Sequence, residues 1–211
     1  MTTILYIKAS PRPEAKSTAL ADAYIAAVRQ QRPNFKVDVL NLAIEKLPEF
    51  DGNKVAAKMA AIAGQDQSAT QKTAWDQIVS IAQRFIEADQ YVLAVPMWNG
   101  GIPYRLKQYI DVIHQPGLLW TLDATTGYHG LLKNKSAVLA LTSGAWGPSM
   151  PSPAFGIDHH STYLKAWLNQ AGVDNIHEIR FQPTIINSDL EGSFNAAVSQ
   201  AQSLAKSIGV S

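Results

Sequence analysis

The chain has 211 residues, of which 46% are hydrophobic and 17% charged. That balance suits one α/β domain over residues 1–211 and excludes a globally disordered chain. The formal net charge of +1 points to neither a nucleic-acid binder nor an acidic electron carrier, and the absence of cysteine excludes disulfides, thiolate metal sites, iron–sulfur clusters and a cysteine nucleophile.

The first residues, Met1 to Lys8, show no basic region followed by a long apolar run. A secretory signal is therefore not expected. No stretch approaches the ~20 apolar residues that span a bilayer, so the expectation is a cytoplasmic protein. Ile4–Ile7 is short, apolar and β-prone, and it ends at Ser10-Pro11. Ser17 then reads as the N-cap of a helix, with Leu20, Tyr24, Ala27 and Val28 at helical spacing. Val37–Leu40 predicts a second strand near a sheet edge. The stretch from Asn41 to about Thr70 is punctuated by Pro48, Gly52 and Gly64, with an Ala-rich middle that suits a short helix. Lys72–Glu87 predicts a helix and Tyr91–Val95 a buried strand, followed by a helix over Pro103–Ile113 with proline in its first turn. Ser136–Thr142 predicts a strand, His160–Ala171 a helix stopped by Gly172, Ile176–Phe181 a last strand and Leu190–Ile208 a closing helix. Strands alternating with helices imply a doubly wound parallel sheet of five strands, covered on both faces.

In such a sheet, ligands bind beyond the carboxyl ends of the strands, where strand order reverses. Three loops therefore carry the functional candidates. Lys8 to Thr18 holds three hydroxyls and two cations beyond Lys8 and ends at a helix start. Free N–H groups and a partial positive charge there favour a phosphate, although neither a Walker A sequence nor a glycine-rich dinucleotide fingerprint is present. Val95 to Pro103 brings a thioether, an indole and an amide together at Met97, Trp98 and Asn99, groups suited to the edge and face of a flat heterocycle. Thr142 to Pro148 has two glycines that permit close backbone approach. No Gly-x-Ser-x-Gly elbow supports a hydrolase. His159 and His160 are adjacent and cannot both face one ion from a regular helix, so they read as cap or structural residues and no metal site is expected.

Together these loops resemble the flavodoxin-like FMN-dependent NADH azoreductases, which are also NADH:quinone oxidoreductases. The likeness covers essentially the whole chain. Its strongest stretch is Pro96-Met97-Trp98-Asn99 with Ile102-Pro103, Leu106-Lys107, Ile110-Asp111 and Gln115-Pro116-Gly117. Lys133-Asn134-Lys135, Asp158-His159-His160 and Tyr163-Leu164 extend it. The resemblance implies a flavodoxin-like sheet of order 2-1-3-4-5. It implies ping-pong hydride transfer through FMN from NADH, or NADPH, to quinones, and reductive cleavage of aromatic azo compounds to amines. The FMN phosphate would fall to Ser10, Lys16, Ser17 and Thr18. The ring would lie along Pro96, Met97, Trp98, Asn99 and Gly100, with Ser143, Gly144 and Ala145 closing over it. Trp120, Tyr128 and Tyr163 would shape the substrate pocket, in a homodimer; by position, Tyr128 with His129 resembles the Tyr and His that a related quinone reductase family uses beside its flavin and would be the catalytic pair, with solvent as the alternative proton source. No nucleic acid or membrane partner is implied. Two departures stand out: Gly100-Gly101 occupies the place where the family usually has an aromatic, and Gly144-Ala145-Trp146 the place of a common double glycine. Acceptor preference is expected to differ from the relatives at Gly100 and Gly101. The alternative reading is a flavodoxin-type electron-transfer protein with no substrate of its own.

Overall fold

The computed structural model describes residues 2–208. Five parallel strands form one sheet in the order β2 (Phe35–Asn41), β1 (Thr2–Lys8), β3 (Gln90–Pro96), β6 (Ser136–Thr142), β7 (Asn175–Phe181). This is the expected 2-1-3-4-5 order, with β2 at an edge. A strand's side chains alternate between faces, so each central strand feeds two cores. Ile4 and Tyr6, Val92 and Ala94, and Val138 and Ala140 pack under α1 (Lys16–Gln31) and α6 (Leu190–Ser207). Leu5 and Ile7, Leu93 and Val95, and Leu139 and Leu141 pack under α3 (Ala69–Glu87), α4 (Tyr104–Ile113) and α5 (Ser161–Ala171). In that second core the Phe85 and Tyr91 rings stack at 4.1 Å, and Trp167 meets Phe85 at 5.4 Å. The short helix foreseen in the irregular stretch is α2 (Gly52–Ala63), capped by Asp51.

Three local expectations are corrected. α1 begins earlier than Ser17: its N-cap is Ala15, whose extended backbone makes no side-chain cap bond. The chain turns ahead of it, with the Ala15 N–H donating to Arg12 O at 3.3 Å, so Ser17 falls inside the first helical turn. Pro103 is the N-cap of α4, just before its first turn. A two-stranded hairpin, β4 (Trp120–Asp123) and β5 (Gly127–Gly130), was not foreseen. Its signal was present in Asp123-Ala-Thr-Thr-Gly127. The Asp123 carboxylate accepts the N–H groups of Thr125 and Thr126 at 2.8 Å, and Gly127 takes φ +86°.

Gly172 ends α5 in the left-handed region, as its position after the helix implied. β5 then lies so close to this helix end that a Cβ on Gly130 would come within 3.0 Å of Gly172 N and Cα. No helix among the described residues is long and apolar enough to cross a membrane.

Candidate functional site

The loops after β1, β3 and β6 meet beyond the strands' carboxyl ends, at the β1–β3 reversal where ligands bind in open α/β sheets. They enclose a cavity of about 240 Å³ lined by Ser10, Arg12, Ala15, Lys16 and Ser17 from the first loop and Pro96, Met97 and Trp98 from the second. Thr142, Ser143 and Gly144 line it from the third, and Thr184 and Ile185 close it from the loop after β7. Its lining includes Arg12, Lys16 and five hydroxyl-bearing residues, and no carboxylate; the Lys16 ammonium lies over the Phe194 ring at 4.6 Å. The first ladder bond of α1 is Ala19 N–H to Ala15 O at 3.0 Å. The N–H groups of Lys16, Ser17 and Thr18 precede that ladder and lie at the positive end of the helix. The Ser17 hydroxyl is buried and has no hydrogen-bond partner among the described residues. A buried unsatisfied hydroxyl costs roughly 1–3 kcal/mol, and here it belongs to a cavity that Arg12 and Lys16 also line, where an anion's oxygen would complete it.

The second loop is built by a tight turn. Trp98 and Gly101 exchange backbone bonds at 2.9 and 3.0 Å, while Asn99 takes φ +50° and Gly100 φ +82°. Two successive left-handed residues make a type I′ turn, for which Asn-Gly is the favoured pair. This accounts for Gly100: any side chain there would be strained. Gly101 faces open space. The turn is anchored below by Met97 N–H to Thr142 O at 2.7 Å and across by His159 N–H to Gly100 O at 3.1 Å.

Trp98 also lines a larger cleft of about 640 Å³, with Asn99, Gly101, Phe50, Ile102, His159 and Tyr163. One face of α4 completes it: Tyr104, Lys107, Gln108 and Asp111 recur at i, i+3, i+4 and i+7. Lys107 and Asp111 pair at 2.6 Å. Burial, helped by the Asp111 carboxylate, pushes the Tyr163 phenol up to about 12.

His159 and His160, read together from sequence, separate here. His160 is fully buried at the N-cap position of α5, and neither ring nitrogen has a hydrogen-bond partner among the described residues. Burial pushes its pKa down to about 4. The Asp158 carboxylate opposes this, and the Val95 carbonyl lies near enough to favour the charged ring without a full hydrogen bond. Asp158 in turn accepts the N–H groups of His160 at 3.0 Å and Ser161 at 2.8 Å. Burial alone would raise the Asp158 carboxyl; these bonds and the Arg180 charge hold it below the usual carboxylate range.

The structure thus brings together Ser10, Lys16, Ser17, Pro96, Met97, Trp98, Ser143 and Gly144 around one cavity, and Trp98, Asn99 and Tyr163 around the other. Thr18 follows the phosphate-type lining, its carbonyl accepting the Tyr6 hydroxyl at 3.2 Å. Ala145 is exposed outside both linings. Trp120, Tyr128 and His129 lie on the hairpin and line neither cavity. Trp120 is buried and edge-on to the exposed Tyr128 at 5.0 Å, while His129 Nε2 bonds Thr126 Oγ1 at 2.6 Å. Sequence reasoning read Arg12 and Thr142 only as members of their loops and missed Phe50, His159 as a lining residue and the α4 face, although the polar spacing on α4 was a usable signal. It also missed Thr184 and Ile185, whose link to Ser143 and Gly144 is made by backbone N–H bonds of 2.9 Å and leaves no side-chain pattern.

Comparison with known proteins accords with this geometry. A family model described as flavodoxin-like fold matches residues 2–205. The chain is 45% identical to the FMN-dependent NADH:quinone oxidoreductase of Ruegeria pomeroyi over 199 residues, covering 94% of this chain and 97% of that protein. It is 38% identical to FMN-dependent NADH:quinone oxidoreductase 3 of Pseudomonas fluorescens over 213 residues, covering 99% and 98%. Among solved structures it is similar to an azoreductase from Bacillus anthracis str. Sterne, with a TM-score of 0.88, 25% identity and coverage of 99% of this chain and 100% of that one. With its fold, its loops and these relatives in agreement, the chain belongs to the FMN-dependent NADH:quinone oxidoreductase family, built on the flavodoxin-like fold.

Proposed function

We propose that this single-domain enzyme binds FMN against Trp98, the residue both cavities share, oxidises NADH and reduces quinones by two electrons, with aromatic azo compounds as further acceptors. The observation that carries the reading is the orphaned Ser17 hydroxyl at the start of α1, in a cavity that Arg12 and Lys16 also line, one Trp98 away from an aromatic cleft. These residues fit the cofactor. Ser10, Arg12, Lys16, Ser17 and Thr18 would hold the phosphate, and Pro96 to Gly100 would lie along the ring. Ser143 and Gly144 would stand opposite, with Ala145 beside them. When bound, FMN supplies the hydride relay between nicotinamide and acceptor. The protein's share is to orient both reactants in the cleft and keep its polar groups aimed at the charge that develops there.

A preparation purified with FMN should be yellow and should oxidise NADH when a benzoquinone is added, with NADPH as the comparison donor. A colourless protein inert to NADH would contradict the reading. An FMN-loaded protein inert to NADH would instead favour the electron-shuttle alternative. The cleft is large enough for a small aromatic acceptor and argues for the enzyme. We also take the enzyme to be a cytoplasmic homodimer. Val55, Met59 and Ile62 leave an exposed apolar stripe at i, i+4 and i+7 on α2, which a second copy would cover. Light scattering giving a monomer mass would count against the dimer.

Ser17→Ala tests the phosphate site. A hydrogen bond to a charged group contributes about 1.5–3 kcal/mol, so FMN should bind roughly 10–100-fold more weakly. Riboflavin, which lacks the phosphate, should bind both proteins alike. The FMN-free variant should be no less stable, because the lost hydroxyl had no partner. Equal FMN affinity by fluorescence titration would place the phosphate elsewhere.

A further inference from the structure

We infer that His159 is the proton donor to the reduced acceptor, an inference that rests on the quinone-reductase reading of the cleft. NADH gives up a hydride, which is two electrons and one proton. A quinone that gains these still needs one more proton, on its second oxygen, to become the neutral hydroquinone. An imidazolium N–H bond breaks, the O–H bond forms, and the neutral ring is reprotonated by water.

The titratable groups of the cleft leave His159 in this role. Lys107 and Asp111 are committed to each other at 2.6 Å. Burial makes the Tyr163 phenol a weak acid. Tyr104 stands at the exposed rim, 71% accessible. Imidazole is the side chain that exchanges protons near neutral pH. The His159 ring lines the cleft with Trp98 and Asn99, and it takes no hydrogen bond or ion pair among the described residues that would divert it. Its backbone is fixed to the turn that shapes the site, through His159 N–H to Gly100 O at 3.1 Å. On its other side the chain is pinned by the Asp158 cap and the buried His160, so an exposed ring stands on a rigid support. Exposure to water provides the route for reprotonation. The charged and titratable neighbours that bear on its pH response are Lys107 and Asp111 on α4, Tyr163 on α5, and Asp158 and His160 beside it in the chain.

The test bypasses the NADH step. FMN-loaded wild-type, His159→Gln and Tyr128→Phe/His129→Ala proteins are reduced with dithionite without oxygen and mixed with a benzoquinone at several pH values. Wild-type reoxidation should slow as pH rises. His159→Gln should be ~100-fold slower at pH 6, the low side of what general acids contribute. Its rate should be flat with pH and partly restored by added imidazole. A second readout uses the oxidised wild-type protein: the His159 ring signal, assigned by its loss in His159→Gln, should move when 3,5-dichlorophenolate occupies the cleft. Equal rates and pH profiles in wild type and His159→Gln, a loss seen only in the Tyr128/His129 variant, or a ring signal indifferent to the phenolate would each overturn the assignment. Failure of the wild type to take up FMN would overturn the underlying reading at the first step, before any quinone is added.

Discussion

Gly130→Ala is expected to destabilise the protein by about 3 kcal/mol or more, the upper range for forcing atoms into a packed site. The new Cβ would sit within 3.0 Å of the Gly172 nitrogen and Cα and of the Ala171 carbonyl carbon. All three are backbone atoms, so no side chain can swing aside to make room. Gly172 cannot give way either. It is held at φ +98° by the α5 terminus, and its own surroundings include the Leu132 carbonyl. The hairpin that carries Tyr128 and His129 should therefore be pushed off α5. Gly52→Ala is the matched control, because nothing lies within 4 Å of its added methyl and it opens α2. It should be neutral or slightly stabilising, by up to about 1 kcal/mol. Urea unfolding of both variants decides the matter, and a Gly130→Ala protein as stable as the Gly52→Ala one would refute the close-packed junction.

Acidification should weaken the fold in a window set by His160. Its pKa of about 4 in the folded protein lies below the ordinary 6.5 it regains on unfolding. Between these values the unfolded chain binds the extra proton, so stability falls as pH falls, beginning near 6.5 and levelling off below about 4. The full loss is about 3 kcal/mol. His160→Leu removes the proton-binding group while keeping an apolar filling. Its stability measured by urea unfolding should change less over that window, with a remainder from His114, whose pKa burial also lowers. Identical slopes for the two proteins would show that His160 is not the buried neutral ring described here. Below about pH 4 a separate loss follows as Asp38, Asp51 and Asp158 protonate, since their folded pKa values are held low by Arg84, by the α2 cap and by the Ser161 and His160 bonds.

The main sheet was legible because its three central strands are apolar runs buried on both faces, its two edge strands keep shorter apolar stretches, and each covering helix shows its own spacing. The hairpin was not, because Thr121, Leu122, Tyr128 and His129 are exposed on it and no apolar alternation marks the strands. The phosphate-type loop was read from its hydroxyls and cations before a helix. Ser17 was given the wrong task there, because an N-cap is defined by backbone conformation, and Ala15 takes that conformation. His159 and His160 were indistinguishable in sequence. Only the start of α5 decides that one ring is buried and its neighbour faces the cleft.

Trp98 is a party wall, and that constrains how this enzyme can diverge. On the proposed reading, a smaller residue there would open the acceptor's space and remove a cofactor contact in one step, so a gain in substrate size at this position would come coupled to a loss of FMN retention. Phe50 and Ile102 border the larger cleft and not the smaller cavity. Variation that widens the range of acceptors while leaving the cofactor in place should therefore accumulate at those two positions, with the indole held constant.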